Sequence, residues 1–148
     1  TLRRYTEYAG KSATKTLLAK LIYLADFALY YEQLQPMSGM KYRRLQYGPV
    51  PDQYFRVIDE LFDDGKIKIV MGDEAQLLSL SRSAQDTPPQ HLSTGELDLI
   101  DKIAKKWKDA NTKEIVHFTH TQLPWQICRQ NEYIPYELIT QEDPDHVF

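Results

Sequence analysis

The segment Leu45–Phe55, LQYGPVPDQYF, places two prolines two residues apart beside a glycine. Proline rings fix φ at about −65°, and a residue that precedes a proline, here Val50, is kept out of the helical region. Gly48 lacks a Cβ atom, so it can adopt φ values that other residues avoid or let another segment approach closely. The segment is therefore predicted to be a stiff, extended hinge segment that is followed directly by a helix.

That helix is predicted to begin at Pro51. Proline suits a first helical position, and Asp52 places a negative charge in the first turn. The helix is expected to end at Asp63–Gly65. Before that point, apolar residues recur at helical spacing: Tyr54, Phe55, Ile58, Leu61 and Phe62.

Length and cysteine content bound the class of protein. A chain of 148 residues is expected to form one domain, 1–148, with a substantial core. Its one cysteine, Cys128, excludes an internal disulfide and fits a reducing compartment such as cytosol. No apolar run approaches the roughly 18 residues that cross a bilayer, and no signal-peptide pattern opens the chain. A cytoplasmic protein without a membrane partner is therefore expected.

Charge is distributed unevenly. Residues up to Gly48 carry eight Lys and Arg against three Asp and Glu, and the remainder carries ten against eighteen. Dedicated nucleic-acid binders more often have a basic pI, unlike this chain with its net charge of −3. The asymmetry is compatible with a bipolar interaction surface.

Hydrophobic periodicity predicts an α+β chain that is predominantly α-helical. Helices are expected near Leu2–Ala9 and over Ala13–Gln33, followed by a short strand at Lys41–Tyr47. Lys66–Val70 and Ala75–Ser81 are expected to pair as a β-hairpin. The expected architecture is a helical bundle with this small β element.

The second part of the chain is expected to be all-helical. Ser93 with Glu96, and Asn111 with Glu114, are capping-box signatures, each opening a helix. Pro124 then begins a further short helix.

A polar stretch over 81–90, which contains Pro88 and Pro89, separates the two parts. It is too short to prove two domains. The prediction is two lobes on one core, about 1–82 and 91–139, with a tail at 140–148.

The best metal candidate is the triplet Glu114, His117 and His120. Di-iron bundles use such a motif twice, with further glutamates from facing helices, and zinc needs convergent ligands that are not evident here. No metal or cofactor is therefore expected. His120 is predicted to be a hydrogen-bonded, partly buried histidine, and His117 to face solvent.

No catalytic motif stands out. Cys128 lies eight residues after His120, which is not a recognised arrangement, and no glycine-rich phosphate loop occurs. Asp26, with Tyr23 and Tyr30 on the same helix, is expected to be a buried acid that accepts hydrogen bonds from tyrosine hydroxyls or the backbone. Neither enzyme activity nor a small-molecule ligand is expected.

A winged-helix DNA-binding regulator is the alternative. The order helix, strand, helix, hairpin up to Ser81 is loosely that of such a module, and Lys41–Tyr47 supplies basic and aromatic side chains. Between Asp52 and Asp64, however, five acidic residues oppose Arg56 alone. The would-be recognition helix would therefore repel phosphate.

Four phrases carry a resemblance through their order and spacing. They are KLIYLADFALYY (Lys20–Tyr31), GMKYRRLQYGPVP (Gly39–Pro51), HTQLPW (His120–Trp125) and YIPYELI (Tyr133–Ile139). Together they resemble the Panacea domain of SocA-like antitoxins, over about Leu2 to Ile139. The positions assigned to the family motif are Tyr23, Asp26, Gly39, Gly48 and His120.

The resemblance implies a non-enzymatic, protein-binding module of bacterial and phage toxin–antitoxin systems. Members bind unrelated toxins and neutralise them, in a manner similar to dedicated chaperones, and some deliver the toxin to a Clp-type protease. Panacea domains also occur fused to other modules, so DNA contact is expected only through a fused or missing module. The loop Met71–Gln76 and the tail 140–148 match no family motif.

Composition and resemblance agree on a binding mechanism. Ten tyrosines and two tryptophans supply side chains that anchor interfaces. We predict a groove or platform around the segment 42–51, with Arg43 and Arg44 tuning partner choice and encounter rate. The predicted contact residues are Tyr30, Tyr42, Arg43, Arg44, Tyr47, Pro49, Pro51 and Trp125. Internal packing is the alternative role for Tyr47, and the favoured one for Trp125.

Overall fold

The computed structural model describes residues 1–86 and 91–148. Helices hold 55% of these residues and strands 15%, in two three-stranded sheets, so the predicted α+β, predominantly helical class is confirmed. The proline pair predicted to lie between two lobes, Pro88 and Pro89, falls outside the described residues. The helices are α1 (Leu2–Ala9), α2 (Lys15–Gln33), α3 (Tyr54–Asp63), α4 (Arg82–Gln85), α5 (Thr94–Trp107), α6 (Thr112–Thr121) and α7 (Leu123–Ile127). The strands are β1 (Ala13–Thr14), β2 (Tyr42–Leu45), β3 (Gly48–Pro51), β4 (Ile67–Met71), β5 (Gln76–Leu80) and β6 (Tyr133–Ile134).

Helix α2 lies at the centre of the core. It packs against α5, α6, β3 and the 3₁₀ helix Tyr136–Gln141. Between Leu17 and Leu29 every residue except Ile22 is buried. The helix therefore buries more than the single apolar stripe that its periodicity predicts. One consequence is that two ionisable side chains, Lys20 and Asp26, lie in the interior.

The predicted hairpin is confirmed as β4 and β5. In its turn the Gly72 amide donates a hydrogen bond to the Ala75 carbonyl oxygen at 2.9 Å. Strand β1 pairs with the other side of β5, which gives the order β1-β5-β4. Ile67 and Leu78 are buried and join the main core. Helix α3 is thus followed by β4 of this sheet, and β1 of the same sheet directly precedes α2.

The proline segment is a strand, and the predicted helix start at Pro51 is wrong. Strand β3 pairs antiparallel with β2, with Pro51 opposite Tyr42. The Asp52 amide continues the ladder by donating to the Lys41 carbonyl oxygen at 2.8 Å, and α3 begins only at Tyr54. Because antiparallel pairs alternate, the two prolines occupy the positions whose backbone nitrogens point away from β2. An edge strand can place prolines there without losing a hydrogen bond to its neighbour.

The helix starts predicted in the second part are confirmed. Ser93 and Glu96 form a full capping box at α5, and Asn111 and Glu114 form another at α6. Helix α7 carries Pro124 in its first turn. These starts are set by contacts within four residues, so the local sequence is sufficient to predict them.

The end of the chain packs against α6 and α7. The Gln122 side-chain amide donates to the backbone oxygens of His146 and Val147, at 2.9 and 2.8 Å. The Glu142 carboxylate accepts a 2.6 Å bond from the Leu123 amide, and Val147 is buried. Strand β6, which the sequence did not predict, pairs with β2. The tail therefore completes the core around the first turn of α7.

Candidate protein-binding surface

The structure divides the eight predicted contact residues into buried and accessible ones. Tyr42 is only 1% exposed, and Pro49 and Pro51 are buried in β3. The prediction that these three side chains touch a partner is wrong, because Tyr42 packs on aromatic rings of α2 and β3 packs against α2 and α6. Tyr47 is 66% exposed, in the turn between β2 and β3. The other four are partly buried: Tyr30, Arg43, Arg44 and Trp125.

Tyr30 lies apart from the β2–β3 turn. Its ring stacks on Tyr136 with the centroids 5.4 Å apart. Tyr47 instead lines a cavity with Lys15 and Thr16 at the other end of α2. Fourteen residues of helix correspond to about 21 Å. Tyr30 therefore does not belong to the surface around Tyr47.

Trp125 is held in a stack of planar groups. The Arg44 guanidinium carbon lies 3.7 Å from the centroid of its ring, and the His120 ring is stacked on it at 4.0 Å. Arg44 also donates hydrogen bonds to the Trp125 carbonyl oxygen at 2.8 Å and to Gln130 at 3.0 Å. This arrangement fastens α7 to β2. The favoured packing role for Trp125 agrees with it, whereas contact of Trp125 with a partner stays a prediction.

Arg43 belongs to a second network, with Asp52 and Tyr133. Its guanidinium donates to Asp52 at 2.7 Å and to the Tyr133 hydroxyl at 2.6 Å, and that hydroxyl donates to Asp52 at 2.6 Å. The hydrogen bonds from Tyr133 and then from Arg43 hold the pKa of Asp52 below its ordinary value. Arg43 thus donates three hydrogen bonds within the chain and Arg44 two. Their proposed effect on partner choice stays a prediction.

Tyr133 is an exposed aromatic residue that sequence reasoning did not assign to the surface. Its ring lies under Arg43, with the guanidinium carbon 4.0 Å from the ring centroid. The phrase YIPYELI contained the signal, but β6 has only two residues, and its pairing with β2 is a tertiary contact. Such a short strand has no periodicity to detect.

A buried lysine anchors the β2–β3 turn. Lys20 is fully buried, and its ammonium donates a 2.7 Å hydrogen bond to the Pro49 carbonyl oxygen. Desolvation lowers the pKa of Lys20 to about 7. Gly48 lies against this side chain with φ +97°, and a Cβ there would sit 2.9 Å from Lys20 Cε and 3.0 Å from Thr119 Oγ1. The glycine is therefore required both by its backbone angle and by close approach.

Asp26 is a buried acid, as predicted, but with different tyrosine partners. Its carboxylate accepts hydrogen bonds from the Tyr42 hydroxyl at 2.5 Å, from the Ser38 amide at 2.5 Å and from the Ser38 hydroxyl. Tyr23 and Tyr30 supply none of these bonds, and the Tyr23 hydroxyl is buried with no hydrogen-bond partner in the part of the chain that the structure describes. The network fixes the loop before β2, in which Gly39 has φ +68°.

The triplet Glu114, His117 and His120 does not converge. The Glu114 carboxylate accepts a 2.6 Å bond from the Asn111 amide in the capping box, and His117 is exposed. His120 is partly buried, as predicted, but its buried Nε2 has no hydrogen-bond partner among the described residues, and its ring is held by stacking on Trp125. Burial, and then the charges of Lys20 and Arg44, lower the pKa of His120. Within residues 1–86 and 91–148 no three His, Cys, Asp or Glu side chains are grouped to hold a metal.

Tyr47 and Phe55 border an apolar cavity of about 130 Å³ at the amino end of α2. Phe55 is 56% exposed, so both rings present large apolar surfaces to solvent. The walls between them include Ala19, Val50 and the buried Lys20. A cavity of this size between two exposed rings can receive one apolar side chain of another molecule. We call Tyr47, Phe55 and this cavity the aromatic face.

The fold is thus α+β and predominantly helical, and across residues 1–86 and 91–148 no helix is long and apolar enough to cross a bilayer. Residues 18–126 match the family model described as antitoxin SocA-like, Panacea domain. The chain belongs to this family, which indicates a non-enzymatic role of the antitoxin type. The matched range ends before β6 and the tail. No curated protein and no solved structure matches the chain.

Proposed function

We propose that this chain neutralises a cognate toxin of a bacterial or phage toxin–antitoxin system by binding it directly. The observation that carries the proposal is the aromatic face, exposed on a member of an antitoxin family. Aromatic side chains in well-packed positions supply much of the free energy of protein association. The toxin is inactive while its active surface is covered, or while it is held in an unfolded form.

Rigidity of the β2–β3 turn supports this role. Lys20 of α2 holds β3 through a hydrogen bond to the Pro49 carbonyl oxygen, and Arg44 holds β2 to α7 through a hydrogen bond to the Trp125 carbonyl oxygen. Tyr47 is therefore carried on a turn that is ordered before a partner arrives. Preorganisation reduces the entropy lost on binding, so more of the contact energy appears as affinity.

Growth rescue tests the proposal. The chain is expressed with the product of the gene adjacent to its own, and it is expected to restore growth and to co-purify with that product. Tyr47→Ser is expected to weaken the complex by roughly thirtyfold, which corresponds to about 2 kcal/mol. Loss of both rescue and co-purification in the wild-type chain would contradict the proposal.

A matched control separates contact from folding. Met71 is 72% exposed on the hairpin, in the other sheet, so Met71→Ser removes a similar apolar surface outside the aromatic face. It is expected to leave growth rescue unchanged. Circular dichroism and urea unfolding should show that both variants keep the wild-type fold.

Delivery of the toxin to a Clp-type protease is a second part of the proposal, and it rests on the family alone. It predicts that the bound toxin is degraded faster in cells that contain the protease than in cells that lack it. Equal toxin lifetimes in the two strains, with growth still rescued, would leave neutralisation by binding and exclude delivery.

A further inference from the structure

Helix α3 presents an aromatic stripe to solvent along the border of its buried side. Phe55 and Phe62 are 56% and 48% exposed, and they lie seven residues apart, which is about two helical turns. Tyr54 and Ile58 point into the core instead. Phe55 also borders the cavity next to Tyr47, so the stripe extends the aromatic face along the helix.

Acidic side chains lie along one side of this stripe and at the carboxyl end of the helix. Asp59 and Asp63 lie on α3, and Asp64 follows directly. All three are exposed, and none forms an ion pair among the described residues. The one cation of the helix, Arg56, is already paired with Glu60 at 3.4 Å. The helix therefore carries net negative charge beside the apolar rings, with Lys15 of α2 as the accessible cation that lines the cavity next to Phe55.

We propose that this surface of α3 docks a basic, amphipathic segment of a protein partner. Apolar side chains of the segment would cover Phe55 and Phe62, and its lysines or arginines would lie against the three aspartates. Complementary charge selects this occupant, because an acidic segment or a nucleic-acid phosphate would be repelled by the same carboxylates. The inference rests on the proposed function only in assigning this segment to the toxin.

The position of α3 in the order of elements raises the question of whether its exposed side binds DNA or protein. Helix α3 precedes the hairpin, and in a winged-helix module with that order the corresponding helix enters the DNA major groove. Here its exposed side is acidic and aromatic, which is unsuited to phosphate. The exposed side of α3 therefore suits a basic protein segment better than a nucleic acid.

Labelled synthetic peptides test the docking chemistry without knowledge of the toxin. The probe is an amphipathic helical peptide of leucine and lysine. One comparison peptide has glutamate in place of lysine, and the other has serine in place of leucine. Fluorescence anisotropy with the full chain should show saturable binding of the leucine–lysine peptide alone, weakening as salt rises from about 50 to 300 mM.

Variants locate the binding to α3. Phe55→Ser with Phe62→Ser is expected to weaken the peptide complex at least tenfold. Replacing the three aspartates by asparagine, at 59, 63 and 64, is expected to weaken it and to flatten its salt dependence. The control replaces two exposed acids of the hairpin turn, Asp73→Asn with Glu74→Gln, and should leave binding unchanged.

Equal binding of the lysine and glutamate peptides, or full binding by the phenylalanine variant, would overturn the inference. The growth assay distinguishes this from failure of the proposed function. If the wild-type chain rescues growth and the α3 variants rescue equally, the assignment of the docked segment to the toxin is wrong and neutralisation stands. If the wild-type chain fails to rescue while the peptide results hold, the docking surface stands and the antitoxin proposal does not.

Discussion

The ammonium group of Lys20 donates a 2.7 Å hydrogen bond to the carbonyl oxygen of Pro49, in the interior of the protein. This bond joins α2 to β3. Lys20 has no carboxylate partner among the described residues. A buried ammonium without an anion is costly, so its protonation state is coupled to folding.

Stability is expected to rise with pH because of Lys20. Burial lowers its pKa from 10.5 to about 7 in the folded chain, so between these values unfolding takes up a proton. The free energy of unfolding should therefore increase by at most about 1.4 kcal/mol per pH unit from this group. Urea unfolding at several pH values above 7 measures it. In Lys20→Met this increase of the free energy of unfolding with pH should be absent. The same pH dependence in the variant and the wild type would show that Lys20 is not its cause.

Gly48→Ala is expected to destabilise the chain. A Cβ at φ +97° would meet Lys20 and Thr119 at 2.9–3.0 Å, so strain of backbone and packing add to about 2 kcal/mol or more. Gly39→Ala is the matched control, since Gly39 also has positive φ but no atom of the described residues lies within 4 Å of its Cβ position. It should cost about 1 kcal/mol. Equal urea midpoints for Gly48→Ala and Gly39→Ala would show that the close approach of Lys20 and Thr119 to residue 48 does not affect stability.

Asp26→Asn is expected to lower the free energy of unfolding by about 2 kcal/mol or more. The amide nitrogen of asparagine cannot accept a hydrogen bond, so at least one of the bonds that the buried Tyr42 hydroxyl and the Ser38 amide and hydroxyl donate is lost. Asp59→Asn, at an exposed position of α3, should change stability little. Thermal unfolding followed by circular dichroism compares the two. A wild-type midpoint for Asp26→Asn would mean that the network is not a structural requirement.

Residues 1–86 alone are not expected to fold, because we propose that 1–148 is one domain. Helix α2 is buried in part by α5, α6 and the 3₁₀ helix near the end of the chain. Without them its apolar surface would be exposed to water. The fragment should show no cooperative transition in urea. A cooperative transition, with the smaller slope expected of a shorter chain, would instead establish the first lobe as an independent domain.

Local signals in the sequence predict much of the fold. The boxes at Ser93 and Asn111 and the hairpin at Gly72 depend on neighbours in the chain, and they are observed where expected. Pro51 is different, since both a helix start and an edge strand accept its fixed φ, and only pairing with β2 decides between them.

The candidate surface could be predicted only in part. Tyr47 lies in a turn, where side chains are usually exposed. The strand pattern places Tyr42 on the opposite face of the strand from Tyr47. Which face of β2 meets α2 is set by tertiary packing, so the burial of Tyr42 was not readable. Lys20 and Tyr133 were missed for the same reason, since each acquires its role from a segment distant in the chain.

The placement of the two prolines in β3 also limits how this protein can associate. Their nitrogens carry no hydrogen and lie along the outer border of the sheet, so a foreign strand would find donors missing at successive sites. Joining of copies edge to edge into fibrils is disfavoured there for that reason. The Pro49 carbonyl oxygen on the same border accepts a hydrogen bond from the buried Lys20 ammonium, so at that position β3 offers an incoming strand neither a donor nor a free acceptor.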